Sequence, residues 1–193
     1  PSSPPASTAP EAATPPPAKP QLGALVRARL DTLAKDMTEV EQQEAAALKA
    51  FYESRSDAPL WIADGALNDR AVLAIAEIRK AGDWGLEADA FELPEASGTL
   101  TDGAAADAEL ALSRAALLYA RHARGGRIED PAKQLSSYLD RKPQLLDPKV
   151  VLDKLTAAIP PDATLRGFHP RHPQFEKRSE EHTSELQSLT NLV

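Results

Sequence analysis

The chain has 193 residues, of which 42% are hydrophobic and 5% aromatic, and it carries a formal net charge of −7 and no cysteine. This length corresponds to one domain of ordinary size or two very small ones. The lack of thiols excludes a disulfide framework, a cysteine metal site and a cysteine nucleophile within these residues. The net negative charge argues against a nucleic-acid partner, so we expect none.

The composition divides the chain into three zones. Residues 1–20 include eight prolines and two charged side chains, and such a stretch cannot repay its ordering entropy by burial. We therefore predict a disordered Pro-rich tether there, and because the chain opens on Pro1 rather than Met we expect its true start to lie upstream. Residues 21–177 are predicted to fold, and residues 178–193 do not continue their pattern.

Charge is unevenly distributed along the predicted folded zone. Residues 36–109 hold 17 acidic and 5 basic side chains, a net of −12, whereas residues 110–177 hold 7 acidic and 12 basic, a net of +5. Such halves can attract each other across the fold or offer opposite faces to different partners. They are equally compatible with solvated helix faces that carry no function.

The first helical signals follow the tether. Apolar side chains at intervals of three and four residues predict an amphipathic helix over residues 22–33. Thr38 and Glu41 have the spacing of a capping box in front of a second helix. The two segments form separate helices or one long helix that runs through Met37.

The next helix is bounded by typical cap residues. A turn at Asp64-Gly65 precedes Asn68, which is a good N-cap residue for a third helix. Gly82 is predicted to end that helix as its C-cap glycine. The segment after it is expected to be irregular or to form short turns.

Two more helices complete the prediction. The alanine-rich residues 103–124 give the strongest helical signal, closed by Gly125-Gly126. Asp147 followed by Pro148 predicts the start of a short last helix, which ends at Pro160-Pro161. Alternation with a period of two residues is absent over any useful length, so the predicted fold class is an all-α, irregular helical domain.

The candidate chemical residues are few. His169 and His172 have the spacing of metal ligands, but Pro170 and Pro173 oppose a helical presentation and no carboxylate cluster lies beside them, so we predict no metal site. His122 is expected to act as a cation at a helix C-terminus. Nucleotide and phosphate motifs are absent, so no cofactor and no catalytic residue are predicted.

Aromatic and arginine side chains are the remaining candidates. Aromatic residues embedded among Leu and Ile usually belong to the core, although some of these could form a ligand-stacking surface. The predicted core aromatics are Phe51, Tyr52, Trp61, Trp84, Phe91 and Tyr119. Arg124 and Arg127 flank the Gly-Gly turn and are candidates for docking a partner or an anionic group.

Three segments together resemble one protein family. They are FYESRSDAPLWI (51–62), GLEADAFELP (85–94) and ALSRAALLYARHARGGRIEDP (111–131), followed by HPQFEK (172–177). In this order and spacing they resemble the helical scaffold domain of large bacterial L,D-transpeptidases, over roughly residues 40–177. The resemblance implies a periplasmic enzyme, anchored or secreted through an upstream segment, that cross-links peptidoglycan through an acyl-enzyme on cysteine.

The same resemblance limits what this chain can do. It has no cysteine, so no catalytic residue carries over and no activity is expected from it. We interpret residues 21–177 as a non-catalytic scaffold whose partners are the catalytic and peptidoglycan-binding domains of the same protein, and peptidoglycan itself. The alternatives are a stand-alone periplasmic module that binds peptidoglycan or a cell-wall protein, and an unrelated helical protein.

The last zone, RSEEHTSELQSLTNLV, resembles one reading frame of a common sequencing adapter. This predicts a gene fragment in which the native sequence ends at Lys177. The alternative is a genuine amphipathic tail with Leu186, Leu189 and Val193 on one face.

Overall fold

A computed structural model describes residues 22–33, 37–95, 98–128, 131–134, 136–138 and 143–170. The predicted tether, residues 1–20, and the tail, residues 178–193, lie outside these described residues. Within them the fold is all-α, as predicted. The helices are α1 (Leu22–Leu33), α2 (Glu39–Ser54), α3 (Asp69–Ile78), α4 (Asp102–Ala123), α5 (Pro131–Gln134), α6 (Pro148–Ala157) and α7 (Pro161–Arg166).

Local capping determines where α2 and α3 begin. The Thr38 hydroxyl accepts from the Glu41 backbone N–H at 3.4 Å, and the Glu41 carboxylate accepts from the Thr38 backbone N–H at 2.8 Å. This reciprocal capping box confirms the predicted start of α2, and α1 and α2 are separate helices. The Asn68 side chain accepts from the Ala71 N–H at 2.9 Å, which confirms the predicted N-cap of α3.

The predicted C-cap glycine of α3 is wrong. The helix ends at Ile78, and Gly82 lies inside a 3-10 helix over Ala81–Trp84. The residue with a left-handed backbone is Gly85, with φ 73°, and it closes that 3-10 helix. After α3 ends, the chain therefore forms one more tight turn, in which Ala81 is buried in the core.

Two short strands and the short helices α5 and α7 were not predicted. Strands β1 (Ile62–Ala63) and β2 (Ala66–Leu67) pair antiparallel around the predicted turn at Asp64-Gly65, with Ile62 opposite Leu67. Pro161 does not end the last helix but begins α7, in which it occupies the first turn. The helix before it, α6, begins as predicted, with the Asp147 carboxylate accepting from the Lys149 N–H at 2.8 Å.

Helix α4 is the centre of the domain. It packs against α1, α2, α3, α6 and α7. Its buried face combines small alanines with larger side chains, including Leu112 and Tyr119, neither of which is exposed. Ala106 and Ala116 on the same face let neighbouring helices approach closely, and burial of the larger apolar groups supplies the main stabilisation. The helix ends before Gly125, which has φ 82°.

The turn after α2 holds α1 in place. Gly23 donates its backbone N–H to the Asp57 carbonyl at 3.0 Å, and Arg27 makes two hydrogen bonds to the Asp57 carboxylate at 2.9 and 2.8 Å. A Cβ atom on Gly23 would lie 2.6 Å from the Asp57 backbone. Glycine is therefore required here by close backbone approach.

Polar side chains join α3 to the two helices near the end of the described chain. Arg70 donates to the carbonyls of Ala158 at 2.8 Å and Thr156 at 3.3 Å, which satisfies acceptors at the C-terminus of α6. Arg166 of α7 pairs with the buried Glu77 of α3 at 2.6 Å. None of the helices in the described ranges combines the length and apolarity needed to cross a membrane.

Three ion pairs connect the acidic and basic halves of the chain within the described residues. Arg121 lies 3.1 Å from Glu44, Arg166 lies 2.6 Å from Glu77, and Arg127 lies 2.5 Å from Glu87. The halves therefore meet across the fold at several points. Because the Arg127–Glu87 pair is exposed, its contribution to stability is small, on the order of 1 kcal/mol or less.

Candidate functional site

A buried carboxylate lies at the centre of the fold. Glu109 on α4 has no exposed surface, and its two oxygens accept hydrogen bonds from the segment that follows α2. Oε1 accepts from the Leu60 N–H at 2.6 Å and from the Tyr52 hydroxyl at 2.8 Å, and Oε2 accepts from the Trp61 N–H at 2.9 Å. One side chain thereby satisfies two buried backbone donors of a non-helical segment.

Ser113 extends this network by one helical turn. Its hydroxyl oxygen accepts from the Trp61 indole N–H at 3.0 Å and lies 3.0 Å from the Tyr52 hydroxyl. Burial raises the pKa of Glu109 despite the hydrogen bonds it accepts. Burial and the nearby Glu109 carboxylate raise the pKa of Tyr52, so its hydroxyl stays protonated and acts as a donor. Because every member is buried, the network holds the chain together and does not meet a substrate.

A second buried polar contact involves a predicted metal-ligand candidate. The Nε2 atom of His169 lies 2.8 Å from the Tyr119 hydroxyl, and the ring stacks on Trp84 with 4.7 Å between centroids. Burial lowers the pKa of His169 to about 4, so the ring is neutral at physiological pH. His172 lies outside the described residues, among which no group of three or more His, Cys, Asp or Glu side chains is arranged to hold a metal.

The predicted aromatic residues do not all have the same environment. Phe51, Tyr52, Trp61, Phe91 and Tyr119 are buried. Trp84 differs, because it is only half-buried and covers one face of the His169 ring.

The basic residues at the end of α4 also lie in different environments. Arg127 is exposed and pairs with Glu87, whereas the half-buried Arg124 has a buried Nε atom that finds no hydrogen-bond partner among the residues the structure describes. Burial, together with the charge of Arg121, lowers the pKa of His122. His122 lies in the last turn of α4, as expected, and the lowered pKa favours the neutral form of its ring there.

The surface carries two neighbouring clefts between α2 and α4. The first, of about 220 Å³, has an apolar floor that includes Leu48 and Ala115, and its walls carry Glu41 and Arg114. The second, of about 350 Å³, lies on the other side of the Glu44–Arg121 ion pair and is lined partly by the segment that leads into α6.

The Glu44–Arg121 pair separates the two clefts and belongs to both. Both side chains are about 15% exposed, at 15% for Glu44 and 14% for Arg121. Burial raises the pKa of Glu44, and the charge of Arg121 opposes that rise. The Glu44–Arg121 pair therefore forms a polar ridge between the two clefts.

Glu109 and Ser113 of the buried network, and Glu44, Arg114 and Arg121 of the clefts, were not among the candidates predicted from the sequence. Glu109 and Ser113 are separated by four residues on the buried alanine- and leucine-rich face of α4. A carboxylate in such an apolar stripe is a detectable signal, because unpaired charges are rarely buried. Glu44, Arg114 and Arg121 gave no such signal, since charged residues at helix positions are usually solvated.

Comparison with known proteins gives one result. A family model described as "Scaffold domain" matches residues 46–181. No curated protein and no solved structure matches the chain. The matched region contains the buried Glu109 network and most of both clefts. Because it spans more than half of the 193 residues, the chain belongs to the Scaffold domain family.

Proposed function

We propose that this chain is the non-catalytic scaffold of a periplasmic L,D-transpeptidase, an enzyme that cross-links peptidoglycan. The observation that carries the proposal is the family match over residues 46–181, which includes all three segments whose order resembles that enzyme class. Those segments are residues 51–62, 85–94 and 111–131. The peptidoglycan-linked role itself rests on the resemblance.

The contacts among these segments support a holding role. Tyr52 and Trp61 come from the first segment, and both bond to Ser113 of the third. Phe91 of the second segment packs against Tyr119 of the third, with 5.7 Å between ring centroids. The aromatic residues of these segments thus make core contacts that join distant parts of the chain.

A rigid frame contributes to catalysis by fixing the position of another domain. In an acyl transfer through cysteine, a thiolate attacks a carbonyl carbon and the acyl group then passes to an amine. These 193 residues contain no thiol, so in this proposal the nucleophile belongs to a separate domain. The scaffold would hold that domain and its peptide substrates in a fixed relative orientation.

The genomic sequence beyond the codon for Lys177 tests this proposal directly. We expect an open frame that continues into a cysteine motif of the type Ser/Thr-x-Gly-Cys-x-x-Arg. A natural stop codon shortly after Lys177, with no cysteine domain encoded downstream, would contradict the proposal. Codons unlike the adapter over residues 178–193 would in turn show that the tail is native.

Activity of the purified chain provides a second test. We expect no turnover of nitrocefin or of an acyl-donor peptide, because no nucleophile of the required kind is present. Turnover above that of a heat-denatured sample would contradict a non-catalytic role.

The two clefts favour a second candidate, a binding module for peptidoglycan that acts without a catalytic domain. Sedimentation with purified peptidoglycan, compared with an unrelated acidic protein of similar size, separates the two candidates. Co-sedimentation of this chain alone supports the binding module. Retention no greater than that of the control leaves the scaffold role as the better account.

A further inference from the structure

The first cleft combines an apolar floor with charged side chains of both signs. Leu30 of α1, Leu48 of α2 and Leu118 of α4 contribute to its floor. Glu41 and Arg114 lie on opposite walls, and Glu92 lies at the edge, in the segment that follows a short 3-10 helix over Ala88–Ala90. A ligand seated here would meet apolar surface beneath it and opposite charges beside it.

Arg114 has the features of a ligand-binding cation. It is half-buried on α4, and within the described part of the chain it makes no hydrogen bond and no ion pair within 4 Å. Its charge nevertheless acts on the opposite wall, because it contributes to the lowered pKa of Glu41. A guanidinium with five donors and no direct partner is well suited to a carboxylate.

The carboxylates are equally available. Glu41 uses one oxygen, Oε2, for both contacts with the Thr38 cap, which fixes the side chain on the wall of the cleft. Glu92 is exposed and forms no hydrogen bond or ion pair among the described residues. With Glu44 and Arg121 occupied by each other, the remaining groups are two carboxylates and one guanidinium, a set that complements an ammonium group together with a carboxylate.

We propose that this cleft binds a zwitterionic apolar peptide of one or two residues. Its carboxylate pairs with Arg114, its ammonium group lies against Glu41 and Glu92, and its apolar side chain covers the floor near Leu48. The size follows from the cleft volume of about 220 Å³, below the ~300–1,000 Å³ of sites for drug-sized ligands. This assignment goes beyond the proposed function and holds whether or not the chain belongs to a transpeptidase.

The test is a titration of the ¹⁵N-labelled chain with three related peptides. Leucyl-alanine carries both charges, its N-acetyl derivative lacks the ammonium group, and its C-terminal amide lacks the carboxylate. We expect leucyl-alanine to shift amide signals of residues around the cleft, with an affinity about fivefold to tenfold better than that of either derivative. Equal affinity of either derivative, or signal changes away from the cleft, would overturn the proposal.

Variants assign the charges to residues. Arg114→Gln and Glu92→Gln are each expected to weaken leucyl-alanine binding about fivefold to tenfold. The matched controls are Arg79→Gln and Glu95→Gln, because both residues are exposed and neither lines the cleft. Unchanged affinity in Arg114→Gln, or an absence of binding by wild type at millimolar peptide, would reject the site. The peptide derivatives test wild type, so the result does not depend on any variant folding.

Discussion

Replacing Glu109 by Gln tests the buried network at its centre. The carboxylate accepts from the N–H groups of Leu60 and Trp61 on different oxygens. An amide has one oxygen and one NH₂ group, so in either orientation one of these two backbone donors faces another donor. An unsatisfied buried donor costs about 1–3 kcal/mol.

Charge effects offset part of this cost. Gln loses the strength that a carboxylate adds to its hydrogen bonds, but it also avoids burying a charge. Burial raises the pKa of Glu109, which means that the cost of burying the charge exceeds the gain from those bonds. We therefore expect Glu109→Gln to lower the free energy of unfolding at pH 7 by about 1–2 kcal/mol, which is the cost of the orphaned N–H less the charge penalty that Gln avoids.

The same pKa shift determines the pH dependence. Because the folded pKa of Glu109 exceeds its unfolded value, the folded state binds the proton more tightly. The stability contributed by this group is fully present below the unfolded pKa and is lost as pH rises through the folded pKa. Gln does not titrate, so the deficit of the Gln variant is expected to be larger at acidic pH than at alkaline pH.

Urea unfolding followed by tryptophan fluorescence measures both effects. The matched control is Glu95→Gln, which neutralises an exposed carboxylate and is expected to change stability by less than about 0.5 kcal/mol. If Glu109→Gln also lies within about 0.5 kcal/mol of wild type, the carboxylate does not hold the Leu60–Trp61 segment and the reasoning fails. A deficit that grows with rising pH would refute the assigned direction of the pKa shift.

Three further predictions concern other core contacts. Trp61→Ala is expected to lower the free energy of unfolding by about 3–5 kcal/mol in urea, because the indole is fully buried and bonds to Ser113. Gly23→Ala is expected to lower the melting temperature, at a cost of about 1–3 kcal/mol, since the new Cβ would overlap the Asp57 backbone. The pKa of His169 is lowered to about 4, so its contribution to stability is expected to be present above the unfolded pKa of 6.5 and to decline as pH falls toward 4. An NMR titration of the ring measures the pKa, and unfolding at several pH values measures the stability.

The two substitutions each have a matched control variant, and all three predictions have an outcome that would contradict them. Trp84→Ala removes a half-buried indole and is expected to cost less than Trp61→Ala, so an equal or larger loss would contradict the burial argument. Gly82→Ala adds a Cβ that meets nothing within 4 Å, and a loss as large as that of Gly23→Ala would remove the steric explanation. A measured pKa near 6.5 for His169 would mean that its ring is solvated, contrary to its buried position.

Helix starts were predictable because capping is local. The side chains of Thr38, Asn68 and Asp147 each accept a hydrogen bond from a backbone N–H two or three residues further along the chain. The interaction therefore depends only on residues that are close in sequence. The end of α3 was predicted wrongly because the helix ends at Ile78, before either glycine, and the chain continues into a 3-10 helix that contains Gly82 and is closed by Gly85. Which of them takes the left-handed backbone depends on how the turn packs, and residue spacing does not contain that information.

The residues of the candidate sites could not be predicted from local patterns, because contacts between distant positions in the sequence bring them together. Glu109 lies 48 residues from Trp61 in sequence and Tyr119 lies 50 residues from His169, so no local pattern connects either pair. The same applies to the opposite walls of the cleft at Glu41 and Arg114. Burial of most of the core aromatics was predictable from composition, whereas the half-buried position of Trp84, stacked on the His169 ring, was not.

The amino-acid sequence alone determined the helical class of this protein and most of its helix starts, because periodicity and capping act within a few residues. It left open whether the acidic and basic halves attract each other. Tertiary structure decided that question through pairs such as Glu44–Arg121 and Glu77–Arg166. It also decided that Glu109 is the acceptor for the segment around Trp61, because only packing of α4 against the rest of the chain brings a buried carboxylate to backbone donors that would otherwise have no partner.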